Sequence, residues 1–156
     1  MLRKLPAVLL LVSVALCTAR AQDTVFSAQT RAPLDEVYLQ VYESLESRGL
    51  YVVFEVDLGS TMARFKDRWG EDYNRNALEG IKTMVVCNAR YANRVGNADP
   101  TLLALCPLRV ALTHKEGVTT VLFARPTVIA RGSPAEPVVK ELEETLVGAI
   151  REALKE

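Results

Sequence analysis

Three apolar runs crowded into residues 81–125 constrain this chain more than any other feature. They are residues 81–87 (IKTMVVC), 108–114 (LRVALTH) and 118–125 (VTTVLFAR), rich in the β-branched side chains that suit a pleated, half-buried surface. They read as central strands. Between the last two stands only a short turn containing Glu116-Gly117, whose glycine supplies the positive φ a tight hairpin needs, so this pair is expected to be antiparallel. A longer polar crossover, bracketed by Cys87 and Cys106, joins the first strand to that hairpin.

The flanking segments complete a layer. Residues 24–30 (TVFSAQT) predict a first strand with Phe26 and Ala28 on one side. Pro33 opens a helix whose first turn holds Asp35 and Glu36, and Leu34, Val37, Tyr38, Val41 and Leu45 form its apolar stripe before Arg48-Gly49 ends it. Residues 50–57 alternate, setting Val52, Phe54 and Val56 against Tyr51, Val53, Glu55 and Asp57. Ser60 is expected to cap a short helix carrying Met62, Phe65 and Trp69, followed by a surface loop over 71–76. The crossover predicts one or two helical turns, one starting at Asp99-Pro100. Pro126 ends the last clear strand, with 127–130 extending it irregularly. Ser133 to Glu136 reads as a capping box, and Val138, Leu142, Leu146, Ala149, Ile150 and Ala153 place a long final helix beside the first. The expected class is α+β: a two-layer sandwich with a mostly antiparallel sheet of about five strands and two main helices on one face.

The amino terminus predicts export. Arg3 and Lys4 precede an apolar stretch from Ala7 to Leu16, and Ala19-Arg20-Ala21 sets small residues at a cleavage site, so residues 1–21 read as a signal peptide and 22–156 as a single domain. Cys17 leaves lipidation as the rival, but Leu16 stands where that processing wants a small residue. The apolar stretch is shorter than the ~20 residues of a membrane span, so no span is expected after cleavage. Three of the 19 basic residues and none of the 19 acidic ones fall in 1–21, leaving 16 against 19 and a net charge of −3. Such a surface without basic clusters does not suit nucleic acid.

Asp57 at the end of the second strand, the run MVVCNARYANRVGNADPTLLALCPLRVAL, the hairpin and the proline after it resemble the family called domain of unknown function 302. The resemblance spans most of residues 22–156 and implies a TATA-binding-protein-like α+β fold, with no activity to carry over. The chain departs from the family pattern in two places. Where a common form has Asp-His, Asp57 is followed by Leu58, and where many members read Gly-Asn-Pro, this chain reads Cys87-Asn88-Ala89 and adds Cys106 before Pro107.

Both sulfur-bearing departures fall near one place. If the strand ending at Cys87 lies antiparallel beside the one beginning at Pro107, the cysteines share an end of the sheet, where a disulfide needs Cα atoms roughly 4.4 to 6.8 Å apart. Export and an even number of cysteines beyond residue 21 favour the bond, worth about 3 kcal/mol. Two reduced, buried cysteines are the second reading, and a redox or metal site the third. No Cys-x-x-Cys motif supports redox catalysis, and His114, the single histidine, lies about 25 Å along the strand from Cys106, too far to share a metal.

No catalytic residue, metal or cofactor is expected. His114 reads as a strand-end histidine half in the core, or as a general base lacking a recognisable nucleophile, and Glu55 with Asp57 only share a strand face. The candidate ligand rim is Asn88, Arg90, Tyr91, Asn93 and Arg94, with Arg109 nearby, whose amides, phenol and guanidiniums suit a polar or anionic ligand. The expected function is a non-catalytic exported module binding a small ligand or protein partner; the alternative is a redox or metal-handling accessory using Cys87 and Cys106.

Overall fold

The computed structural model describes residues 24–155; the expected signal peptide and Cys17 lie outside them. Five strands, β1 (Val25–Thr30), β2 (Tyr51–Asp57), β3 (Gly80–Cys87), β4 (Leu108–Lys115) and β5 (Val118–Ala124), form one sheet in the order β1-β5-β4-β3-β2. Every neighbouring pair is antiparallel. Glu116 and Gly117 both take positive φ (51° and 75°), the geometry that lets a two-residue turn follow the twist of β4 and β5. The fold class is the α+β layer arrangement expected.

One sheet face is covered by α1 (Leu34–Ser47) and α6 (Glu136–Leu154). Val37, Val41 and Leu45 of α1 meet Leu142, Leu146, Ala149 and Ile150 of α6 over Met84, Val86, Val110, Leu112, Val121 and Phe123, all buried. Burial at about 25 cal/mol per Å² of apolar surface is the dominant force holding such a layer. A second, smaller core of Val95, Leu102, Ala130, Ala135 and Val139 lies under α4 (Ala89–Ala98), a 3-10 turn (Pro100–Leu105) and α5 (Pro126–Ala130). It thickens the end of the sheet where β3 finishes and β4 starts.

Four local expectations are corrected. Strand β2 does not keep its alternation: its register against β3 slips between Val52 and Phe54, so Val52 faces the helices beside Val86, whereas Phe54, opposite Val85, turns to the uncovered face and is 62% exposed. A one-residue bulge inverts every side chain beyond it. The short helix after β2 is α2 (Leu58–Ala63), capped by Asp57 rather than Ser60, and Phe65 and Trp69 belong to a separate turn around α3 (Lys66–Trp69), where their rings stack 5.2 Å apart. Residues 127–130 are helical because Pro126 at the first turn fixes a helix-compatible φ. Helix α6 starts at Glu136, one turn segment later than expected: Ser133 Oγ accepts from Ala135 N and Glu136 Oε2 accepts from Gly132 N, so the capping pair closes a preceding turn and Val139, not Val138, is the buried position.

Candidate functional site

The two ends of the β3–β4 pair carry the chemistry. At the first end, Cys87 and Cys106 are free thiols, both half-buried, and both line one small cavity with Tyr91, Pro107 and Leu142. The expectation that they share an end of the sheet holds, but the expected Cys87–Cys106 disulfide is absent among the described residues. The register explains why: Val86 opposes Leu108, so continuing the pairing by one residue sets Cys87 against Pro107, out of step with Cys106. Burial, with a contribution from nearby Cys87, pushes the Cys106 thiol up from its ordinary range. A thiol in that state is a poor nucleophile.

The rim residues around the cysteines are mostly engaged with the protein itself. Asn88 caps α4, its Oδ1 accepting from Tyr91 N at 2.9 Å while its Nδ2 donates to Gly49 O at 2.7 Å. Arg94 donates to both oxygens of Glu141, at 3.0 and 2.6 Å, and Tyr91 OH donates to the same carboxylate at 3.0 Å. These bonds, Arg94's first, hold the Glu141 carboxyl below the usual range. The cluster is therefore a latch tying α4 to α6. Arg90 and Asn93 are exposed. Arg109 opposes Val85 and stands on the other face of the sheet, so the structure does not bring it to the rim.

At the opposite end lies a cleft of about 540 Å³ that sequence reasoning did not assemble. It is framed by the start of α1, the end of β2 with α2, the start of β3 and the end of β4. Gly80 in its wall allows α1 to come close, since a Cβ there would lie 2.4 Å from Leu34 Cδ2. Antiparallel pairing sets Asp57 opposite Lys82 and His114 opposite Gly80, which is why residues far apart in the chain converge. Lys82 Nζ meets Asp35 Oδ1 at 2.6 Å and lies 5.1 Å from the Tyr38 ring centre. The Asp57 carboxyl is held below its usual range by hydrogen bonds from Ser60 N and Ser60 Oγ, helped by the Lys82 charge. Asn74 closes the bordering loop, with its amide bonded to both Leu78 O and Leu78 N.

His114 is the most fully specified group in the cleft. Its Nδ1 lies 2.8 Å from Thr119 Oγ1, and the buried Thr119 hydroxyl spends its single proton on Ala32 O at 2.7 Å. The proton between the two side chains must come from Nδ1, so the neutral ring presents its Nε2 lone pair to the cleft. Nε2 is 3.7 Å from Glu79 Oε2, while Glu79 Oε1 accepts from Glu116 N at 3.1 Å. Glu55 shares a strand face with Asp57, as expected, opposing Met84 where Asp57 opposes Lys82, and its carboxylate is occupied by accepting from Tyr38 OH at 2.6 Å. The sequence signals for this site were the strand-end positions of Asp57 and His114. Asp35, Glu79 and Lys82 carry no motif, and only the strand register reveals them.

A family model described as "Domain of unknown function DUF302" matches residues 26–153. The chain is also similar to a crystal structure of an uncharacterized conserved DUF302 protein from Bacillus stearothermophilus, with a TM-score of 0.71 and 17% sequence identity, covering 84% of this chain and 98% of that one. At that identity the likeness shows the fold. No curated protein matches.

Proposed function

The chain belongs to the DUF302 family, and on that premise we propose that it is an exported, non-catalytic module that binds a small polar ligand in the hairpin-end cleft. The observation that carries this reading is the convergence of Asp57, Glu79, Lys82 and His114 on a concave space of about 540 Å³, built on strand ends and one helix start. Binding sites combine such a space with a few fixed polar groups. No hydroxyl or thiol among the described residues is hydrogen-bonded to His114 Nε2, and a base without a nucleophile favours binding over covalent chemistry. Export rests on the features of residues 1–21 given above, and amino-terminal sequencing of the protein from its own host is expected to begin at Gln22.

The test is a thermal-shift screen of residues 22–156 against small polar metabolites. A compound that raises Tm in the wild type and in Arg94→Ala, but not in His114→Asn, supports the cleft. Stabilisation lost in Arg94→Ala and kept in His114→Asn would move the site to the crossover rim. The accessory-redox reading is disfavoured by the half-buried Cys106 thiol, whose pKa is pushed up by burial. Counting thiols in unfolded, unreduced residues 22–156 tests the cysteine pair itself: two free thiols are expected, as in the structure, and none would mean that Cys87 and Cys106 are disulfide-bonded.

A further inference from the structure

We propose that the ligand of this cleft is a small primary ammonium compound, its nitrogen held between His114 Nε2 and Glu79 Oε2. This rests on the cleft being the binding site and adds the chemical class of what enters it. The locked ring offers Nε2 as an acceptor, and Glu79 Oε2 is a second acceptor 3.7 Å away. Two acceptors at that spacing cannot bond each other without a proton. A nitrogen bearing two or more N–H groups can sit at ordinary hydrogen-bond distance, about 2.8–3.0 Å, from both. Glu79 is already positioned for it, because its other oxygen is tied to Glu116 N.

Charge points the same way. The lining holds three carboxylates, Asp35, Asp57 and Glu79, against one ammonium, Lys82, a balance of −2 while His114 is neutral. Lys82 is engaged by Asp35 and lies over the Tyr38 ring. Asp57, fixed by Ser60, adds a second anion on the facing wall. A cation gains from this field, an anion is repelled, and a neutral hydroxyl compound gains little beyond its hydrogen bonds.

Protonation of His114 works against the same ligand. It turns Nε2 from acceptor to donor toward Glu79 and adds a positive charge where the ammonium would lie. Around that nitrogen, Asp35 from α1, Asp57 at the start of α2, Glu79 before β3 and Lys82 within it are the other charged groups of the lining.

The experiment titrates residues 22–156 with three probes sharing a four-carbon chain, n-butylammonium, n-butanol and butyrate, while following the His114 ring nitrogens by NMR. The free protein is expected to show the Nδ1–H tautomer. Butylammonium is expected to shift the Nε2 signal and to bind at least tenfold more tightly than butanol, with butyrate weaker still. Glu79→Gln and His114→Asn, the latter keeping a donor for Thr119, are each expected to lower its affinity tenfold or more. Butanol binding as tightly as butylammonium, with the same His114 response, would overturn the ammonium class and leave the cleft as the site. Probe-induced shifts confined to Asn88, Arg90 and Arg94 would overturn the cleft reading itself, and no response to any probe would overturn the ammonium proposal.

Discussion

The crossover end and the hairpin end of the β3–β4 pair are alike in polarity and opposite in use. At the crossover end, Asn88, Tyr91 and Arg94 spend their hydrogen-bonding capacity on Gly49, Glu141 and the α4 backbone, and a second core stands beneath them. At the hairpin end, Glu79 and His114 each have one side fixed by the protein and another turned to an open space, beside Asp57, whose two oxygens accept from Ser60. Polar residues that satisfy one another build structure, while polar residues held from behind are equipped to meet something else. Asn88, Tyr91 and Arg94 of the rim thus serve as a fastening, and the cleft proposed as the binding site lies where fewer such residues are adjacent in sequence.

The largest expected effect tests the fastened end. Glu143, 6% exposed, pairs with Arg125 and accepts from Thr127 N at 3.1 Å and Thr127 Oγ1 at 2.6 Å, joining α5 to α6. Glu143→Ala strands these partners, and urea denaturation should show a loss of about 3 kcal/mol or more. Asn88→Ala removes a helix cap and leaves Gly49 O without its donor, for which about 2 kcal/mol is expected by the same measurement. His114→Asn retains a donor toward Thr119 and should cost within about 1 kcal/mol while abolishing cleft binding. If Asn88→Ala proved neutral and His114→Asn unfolded the domain, the contrast between the ends would be reversed.

Sequence periodicity carried the layer architecture because burial repeats locally: the stripes of α1 and α6 and the alternation of β4 and β5 each sit within a few residues of one another. It failed where a single residue resets the phase. Nothing in Val52-Val53-Phe54 announces a bulge, so Phe54 was expected on the wrong face; the strand edge, which lies outside the sequence pattern, permits it. The disulfide failed for a related reason, since sharing an end of the sheet is legible from strand order whereas matching positions across strands is not. The cleft needed three strand registers and a helix start at once. Asp57 and His114 were recognisable as strand-end residues, but their distance in sequence hid that Lys82 and Glu79 lie between them.

The smallest expected effect compares one carboxylate from each end. Asp57 caps α2 and Asp99 caps the turn that follows α4, and both carboxyls are held below their usual range. A carboxyl depressed on folding stabilises above its unfolded range, near 3.9, and loses that contribution as pH falls through the lower folded value. Asp57→Asn and Asp99→Asn should therefore each flatten the acid side of the stability curve, with little change at pH 7 because asparagine also caps. The causes differ. Asp99 is lowered by hydrogen bonds from Thr101 and Ser133, whereas Asp57, bonded chiefly by Ser60, also receives a contribution from the Lys82 charge. Salt screens charges and leaves such short hydrogen bonds largely intact, so 1 M NaCl should shrink the acid-side contribution of Asp57 slightly and leave that of Asp99 unchanged. Equal salt responses at both positions would mean that the Lys82 charge is spent on Asp35 and contributes nothing at Asp57.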